Sequence, residues 1–212
     1  MKTYIQSYCR IQDGVILRDG EVVYEHIGET ADLDAFLTAA YQQAGLSYSK
    51  FFKMDPLCRL AILAAEGLPG SGSGAFETAD PVQRAIVLGN RTSSILSDRR
   101  HQASLDCPSP AVFVYTLPSI MIGELSIRHN IQGENSLFVT ESFDPETLAA
   151  YADDLFADGL CSACLCGWID ASPESYEALL YLVDTTPTAV SRPHTPDEIR
   201  AIYEEHQPYF YS

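Results

Sequence analysis

Six cysteines are the side chains with the most reactive chemistry in this chain, at positions 9, 58, 107, 161, 164 and 166. The cluster Cys161-x-x-Cys164-x-Cys166 has a spacing at which paired thiolates ligate zinc. A tetrahedral site needs a second Cys/His pair, and the next histidine downstream is His194. The cluster also lies in a run of small and apolar residues from Gly159 to Asp170, where a thiol behaves as a small hydrophobe in a buried strand. No metal is expected there. The five histidines, His26, His101, His129, His194 and His206, are scattered along the chain and read as packing or surface residues. The Gly70-Ser-Gly-Ser-Gly74 run lacks the G-x-G-x-x-G spacing and is not set between a strand and a helix. It reads as a flexible loop and not as a phosphate cradle. None of these motifs calls for a cofactor.

The elements that would position such side chains alternate between strand and helix. Residues 3–11, 84–90, 136–142, 160–170 and 177–185 are strand-like, and Val15 to Tyr24 reads as a hairpin around Asp19-Gly20, an appendage to the main sheet. Asp55 to Glu66 carries Leu57, Leu60, Ala61, Ala64 and Ala65 at helical spacing, with Pro56 suited to the first turn. A second helix spans about 120–129. The third is the clearest: Asp144 is a good N-cap, Pro145 fits the next position, and Glu146 favours the positive end of the helix dipole. A fourth, 196–205, follows Thr195 in a polar carboxy-terminal tail.

Composition bounds the function. The 212 residues include 13 basic and 29 acidic side chains, for a formal net charge of −16, with 46 % hydrophobic residues. This is a globular chain of one domain, able to bury about 70 % of its unfolded surface. Its charge repels phosphate backbones and anionic lipid, which argues against nucleic-acid and membrane partners. With no apolar stretch of spanning length and no export signal at the amino terminus, the expected location is the cytoplasm, where the cysteines stay reduced.

Three segments, in order, resemble the amino-terminal half of β-ketoacyl-acyl-carrier-protein synthases. Met54-Asp-Pro-Leu-Cys-Arg-Leu-Ala61 is similar to that family's M-D-P-x-x-R-L helix start. Ser109-Pro110, Leu117-Pro118-Ser119 and Gly123-x-x-x-Ile127-Arg128-x-x-Ile131-x-Gly133 resemble its S-P…I-P-N…G-x-x-x-I-R-x-x-I/L-x-G block. Ala157 to Asp170 is similar to the strand written G-x-A-D-x-x-[VL]-x-G-G. The resemblance implies a thiolase-like half, a three-layer α/β/α domain with a five-stranded mixed sheet. It covers residues 1–185 and leaves 186–212 as a tail with a short helix.

The resemblance also implies what is missing. In ketosynthases a cysteine at a helix start carries the acyl chain, and two histidines from the second half act on the malonyl unit. Counted from Gly133, the nucleophile position falls at or near Ser142, a hydroxyl that needs a base to accept its proton. Glu141, Asp144 and Glu146 crowd it with carboxylates that oppose a developing anion. Ser142 therefore reads as vestigial, and no catalytic residue is assigned. The leading reading is a non-catalytic, chain-length-factor-like subunit of fatty acid, polyketide or aryl-polyene-type biosynthesis. It would form a homodimer, or a heterodimer with a complete ketosynthase, and meet acyl carrier protein only indirectly. Its interface would be the strand Ser136, Leu137, Phe138, Val139, Thr140, Glu141 and Ser142. The alternatives are a free-standing acyl-thioester enzyme using Ser142 or a thiol such as Cys107 or Cys164, and a homodimeric binding or regulatory module.

Overall fold

Strand Ala163–Ala171 is buried at every one of its nine positions, and the sheet is arranged around it. The computed structural model describes residues 1–26, 32–68 and 75–205. In chain order the strands are β1 (Tyr4–Gln12), β2 (Val15–Arg18), β3 (Glu21–Glu25), β4 (Arg84–Asn90), β5 (Asn135–Val139), β6 (Ala163–Ala171), β7 (Tyr176–Asp184) and β8 (Arg192–Pro193). They form one mixed sheet in the order β3-β2-β1-β7-β6-β4-β5, with β8 also paired to β1. The pairs β6–β4 and β4–β5 are parallel, and every other pair is antiparallel.

The sheet thus has eight strands, not five. The Asp19-Gly20 hairpin is no appendage: Asp19 and Gly20 turn with positive φ, and the Asp19 carboxylate accepts from the Tyr8 amide at 2.8 Å, so β2 and β3 extend the sheet beyond β1. The expected strand 136–142 runs from Asn135 to Val139, and residues 140–142 leave it. The Gly-Ser run 70–74 and His206 lie outside the described residues.

Alternation along the strands divides the core. On β6, Ala163, Leu165, Ile169 and Ala171 join one cluster, while Cys164 and Cys166 join the other. The first face is covered by α1 (Leu33–Gln43), α2 (Pro56–Glu66) and α6 (Ile120–His129), the second by α7 (Pro145–Ala157) and α8 (Pro196–Glu204). The remaining helices are α3 (Ala75–Thr78), α4 (Ile95–Ala103) and α5 (Pro110–Val114), with Phe76 of α3 buried in the first cluster and Leu96 of α4 packed against it. The layering is α/β/α. No helix among the described residues is long and apolar enough to cross a membrane.

The segment after β7 docks on this sheet. Thr195 caps α8, Ile199 and Ile202 are fully buried against Ile5, Leu179 and Val183, and His194 is buried with Nδ1 3.2 Å from Asp153 and 3.3 Å from Thr3. Farther along, Tyr203 stacks on Phe143 with ring centroids 4.0 Å apart, and its hydroxyl donates to Glu177 at 2.9 Å. Arg10 donates to the Glu205 carbonyl at 2.9 Å, and Tyr8 donates to the Glu205 carboxylate. Ile202→Ala removes a fully buried side chain from this contact, and a loss of about 3 kcal/mol is expected in urea unfolding followed by circular dichroism. A change within error would show that α8 is not part of the cooperative fold.

Candidate functional site

The carboxyl ends of the two parallel pairs, β4–β5 and β4–β6, hold the Ser142 turn together with Glu141, Asp144 and Glu146. In parallel sheets the carboxyl ends of the strands are the usual place for ligands, because the loops there lead into helix amino termini. Here that end is made by three segments: the turn 90–94 after β4, the end of β6, and the turn 140–144 between β5 and α7.

The floor is Asn90 and Asp170, both buried. Asn90 Nδ2 donates to the Ile169 carbonyl at 2.7 Å, and its Oδ1 accepts from the Ser93 amide. Asp170 accepts from the Arg91 amide at 3.1 Å, the Thr92 amide at 2.7 Å, the Thr92 hydroxyl at 2.8 Å and the Arg91 guanidinium at 3.2 Å. Four donors satisfy this carboxylate, so it is a turn-holding group. Sequence reasoning gave neither residue a role. The signal was there: Asn90-Arg-Thr-Ser is a turn sequence closing an apolar strand, and Asp170 is the one charge at the end of another.

Above this floor, the Thr140 amide donates to the Asn90 carbonyl at 3.0 Å, and the Thr140 hydroxyl to the Ser142 carbonyl at 2.8 Å. Ser142 is exposed in the turn, with no hydrogen-bond partner for its hydroxyl among the described residues. It is not the capping residue of α7. Asp144 is, accepting from the Thr147 amide at 3.0 Å and the Thr147 hydroxyl at 2.6 Å. Those two hydrogen bonds, the hydroxyl first, hold the Asp144 carboxyl below its ordinary range, so the helix amino terminus carries a fixed anion.

The histidines lie elsewhere. His26 meets Tyr24 and Phe36, His101 meets Phe113, His129 closes α6, and His194 belongs to the Thr3–Asp153 contact. A shallow crevice beside Asp144, too tight for a water molecule, is lined by Gly89, Phe138, Thr140, Thr147, Leu148 and Trp168. Trp168 fills the space over Gly89, where a Cβ would sit 2.7 Å from its ring. A roomier cleft, with a cavity volume of about 30 Å³, lies on the other face, lined by Ala65, Phe76, His129, Leu165 and Leu182 among others.

The thiols do not converge on the site. Cys9, Cys58, Cys161, Cys164 and Cys166 are buried and in no disulfide, and only Cys107 is exposed. Burial pushes the Cys9 and Cys161 thiols up to about 12 and raises Cys58 and Cys164 well above their ordinary value. Cys164 and Cys166 project to the same face of β6, their sulfurs 3.4 Å apart. The residues of the resembling motifs have scaffolding tasks. Asp55 caps α2 at the Cys58 amide (2.9 Å) and accepts from Ser97 Oγ (2.7 Å), while Arg128 pairs with Glu66 and lies over Tyr48. Gly133 approaches the carbonyls of Val82 and Arg84, each 2.6 Å from where a Cβ would be.

The expected interface strand is at the margin of the sheet, with β4 as its neighbour. Its side chains divide by alternation: Leu137 packs toward the α6 face, Phe138 toward α7 with Tyr151 edge-on at 5.2 Å, and Val139 is 54 % exposed. The Glu134 carbonyl and the Thr140 amide both bond toward β4. By the same alternation the backbone groups of Asn135, Leu137 and Val139 point away from the sheet.

No protein-family model matches the sequence. No curated protein matches it either. Solved structures do. The fold is that of ketosynthase and chain-length-factor chains, a mixed α/β, thiolase-like architecture. A chain of the ishigamide ketosynthase/chain length factor superposes with a TM-score of 0.63 at 18 % identity, over 91 % of this chain and 64 % of that one. A chain of the AntDE:AntF complex, a type II PKS acyl-carrier protein with its ketosynthase bound to the hexaketide, gives 0.61 at 14 %, over 86 % and 62 %. A chain of the ketosynthase ApeO in complex with its chain length factor ApeC, from Xenorhabdus doucetiae, gives 0.56 at 12 %, over 88 % and 80 %. The chain thus spans less than two thirds of the first two neighbours.

Two measurements check this account of the site. A thiol-directed chromogenic reagent should modify one cysteine rapidly in the native chain and six after unfolding; a second fast thiol would show that the buried set is open. Asp144, with its folded value depressed, contributes capping stability above its unfolded value and loses it as pH falls through the folded one. Asp144→Ala should cost about 1 kcal/mol at neutral pH. It should also flatten the acid limb of a urea-midpoint-against-pH curve; an unchanged curve would remove Asp144 from the capping role.

Proposed function

We propose that this chain is a non-catalytic ketosynthase-like subunit, corresponding to the amino-terminal half of that fold. Residues 1–185 are the ketosynthase-like unit and 186–212 its tail, which packs on the same sheet through β8 and α8. It assembles through the free edge of β5 with a complete ketosynthase, or with a second copy when alone, in the manner of a chain length factor. One observation carries this reading: the nucleophile position, Ser142, is an exposed turn residue with no base among the described residues, beside a fixed carboxylate and just past a strand whose outer backbone groups have no partner there. The likeness to chains of ketosynthase–chain-length-factor complexes supports it. With a net charge of −16 the subunit repels an acidic carrier protein and leaves carrier docking to its partner in fatty acid, polyketide or aryl-polyene-type synthesis.

Phe138 faces α7, so a charge there would damage the fold as well as an interface. Val139 is the cleaner probe. Val139→Pro deletes one outward amide while leaving the bonds to β4 in place, and should shift the chain from dimer to monomer in light scattering without lowering its melting temperature by more than about 4 °C. Co-expression with a complete ketosynthase should give a stable mixed complex by native mass measurement. The isolated chain should neither condense nor decarboxylate acyl or malonyl thioesters, with Ser142→Ala indistinguishable from wild type. Turnover by the pure chain, lost in that variant, would overturn the proposal.

A further inference from the structure

The cleft on the face away from Asp144 holds two polar atoms that the fold leaves without a partner. It lies by the amino ends of β4 and β6, opposite the Ser142 turn, between the last turns of α2 and α6 and the short α3. Ala65, Leu68, Phe76, Leu165 and Leu182 give it mainly apolar walls, and Glu66, Glu77 and His129 complete them. Glu77 Oε2 and His129 Nε2 are shut off from bulk water and have no hydrogen-bond partner among the described residues. Buried polar atoms are nearly always paired, because an unmade hydrogen bond costs the full desolvation of the group. Two such atoms on one cleft call for a partner placed between them.

Arg84 fixes the two sides of the cleft. Its guanidinium donates to the Glu77 carbonyl at 2.7 Å, the Ala79 carbonyl at 3.0 Å and the His129 carbonyl at 3.0 Å, and lies 5.7 Å from the centre of the Phe76 ring. One side chain thus anchors α3 and the end of α6, the backbone from which Glu77 and His129 project. The charges around the cleft are balanced. Glu66 pairs with Arg128, and the Arg84 cation, bonded to the Glu77 backbone, has no carboxylate of its own among the described residues. Burial, with Arg128 and Arg84 adding to it, holds the His129 imidazole below its ordinary value against the pull of Glu66, so the ring is neutral at pH 7. Such a cleft suits an uncharged guest.

We infer that this cleft binds the hydroxyl end of a neutral aliphatic alcohol, which donates to Glu77 Oε2 and accepts from the His129 Nε2–H. A carboxylate only accepts and a neutral imidazole carries one N–H, so a single hydroxyl serves both atoms at once. The pairing selects the tautomer with its proton on Nε2. Size agrees: a cavity volume of about 30 Å³ has room for about two water-sized groups, the length of a terminal –CH2OH. A water molecule would make the same two hydrogen bonds but leave the walls of Leu68, Phe76, Leu165 and Leu182 uncovered, whereas an alkyl chain covers them. The site lies away from Ser142 and does not depend on the role proposed for β5.

Titration of the full chain with n-butanol, followed through the carbon-bound ring protons of His129 by nuclear magnetic resonance, tests it. The signal should shift saturably, and n-butylammonium chloride should bind about tenfold more weakly or worse, because Arg84 and Arg128 oppose a cation. Glu77→Ala, which keeps the backbone carbonyl that Arg84 holds, should weaken n-butanol about tenfold or more. Ala65→Leu, which fills the cleft, should abolish the shift in a chain that still melts cooperatively. A shift that never saturates leaves the cleft to water alone and overturns the inference. Tighter binding of n-butylammonium overturns the hydroxyl assignment, and an unchanged affinity in Glu77→Ala puts the alcohol elsewhere and overturns the site.

Discussion

The arrangement depends on how closely β6 and β7 approach. At Gly167 a Cβ would sit 2.0 Å from the Leu179 carbonyl oxygen, so only glycine fits, and the two strands lie in register from Ala163–Asp184 to Ala171–Tyr176. Strand β6 is also where the two kinds of pairing meet, antiparallel to β7 on one side and parallel to β4 on the other. The antiparallel side extends through β1 to the hairpin. The parallel side ends at β5 and puts the turns 90–94 and 140–144 side by side. Trp168, next in sequence, fills the space over Gly89 and donates its indole N–H to Glu177 at 2.8 Å, tying the parallel side back to β7.

The site is electrostatically settled. Every carboxylate that approaches the turn after β5 is occupied or exposed: Asp170 by four donors, Asp144 by Thr147, Glu146 by Arg200, Glu141 in solvent. Catalysis of acyl transfer needs an unsatisfied base and a place for negative charge, and it is on these occupied carboxylates that the proposed non-catalytic role rests. The tail contributes to the same closure, because Tyr203 stacks on Phe143, the residue after Ser142.

Much of this was legible in the residues. Asp144-Pro145-Glu146 starts α7 where the capping rules put it, Arg84–Asn90 is a strand, and the three clustered cysteines are buried in or beside β6. What local pattern could not convey is which elements share a sheet. The pairing of β1 with β7 and the docking of α8 are set by contacts between residues far apart in the chain, such as Tyr4 with Asp184 and Arg10 with Glu205, and spacing along the chain carries no trace of them. Helix α1 went unread although its signal is local: Asp32 caps it at the Ala35 amide (3.0 Å), and Phe36, Leu37, Ala40 and Tyr41 form its buried face. In β5 the run Leu137-Phe138-Val139 shows that some apolar surface must be shared between faces, but only the packed structure tells which side chain α7 takes.

The position of β1 bears on how the molecule is made. Its first residues pair with β7 and β8, Tyr4 with Asp184 and with Pro193, so β1 is synthesised well before the strands on that side of it. During elongation β1 can form its local hairpin with β2, but the edge facing β7 stays open until residue 184 has emerged. At about 5–20 residues per second, that leaves an apolar strand edge unpaired for roughly ten seconds or more on the ribosome. Closing so long a loop also makes folding slow, because the entropy of bringing the ends together is lost before the β1–β7 ladder returns any stability. A nascent chain of this kind is a natural client for chaperones that shield unpaired strands.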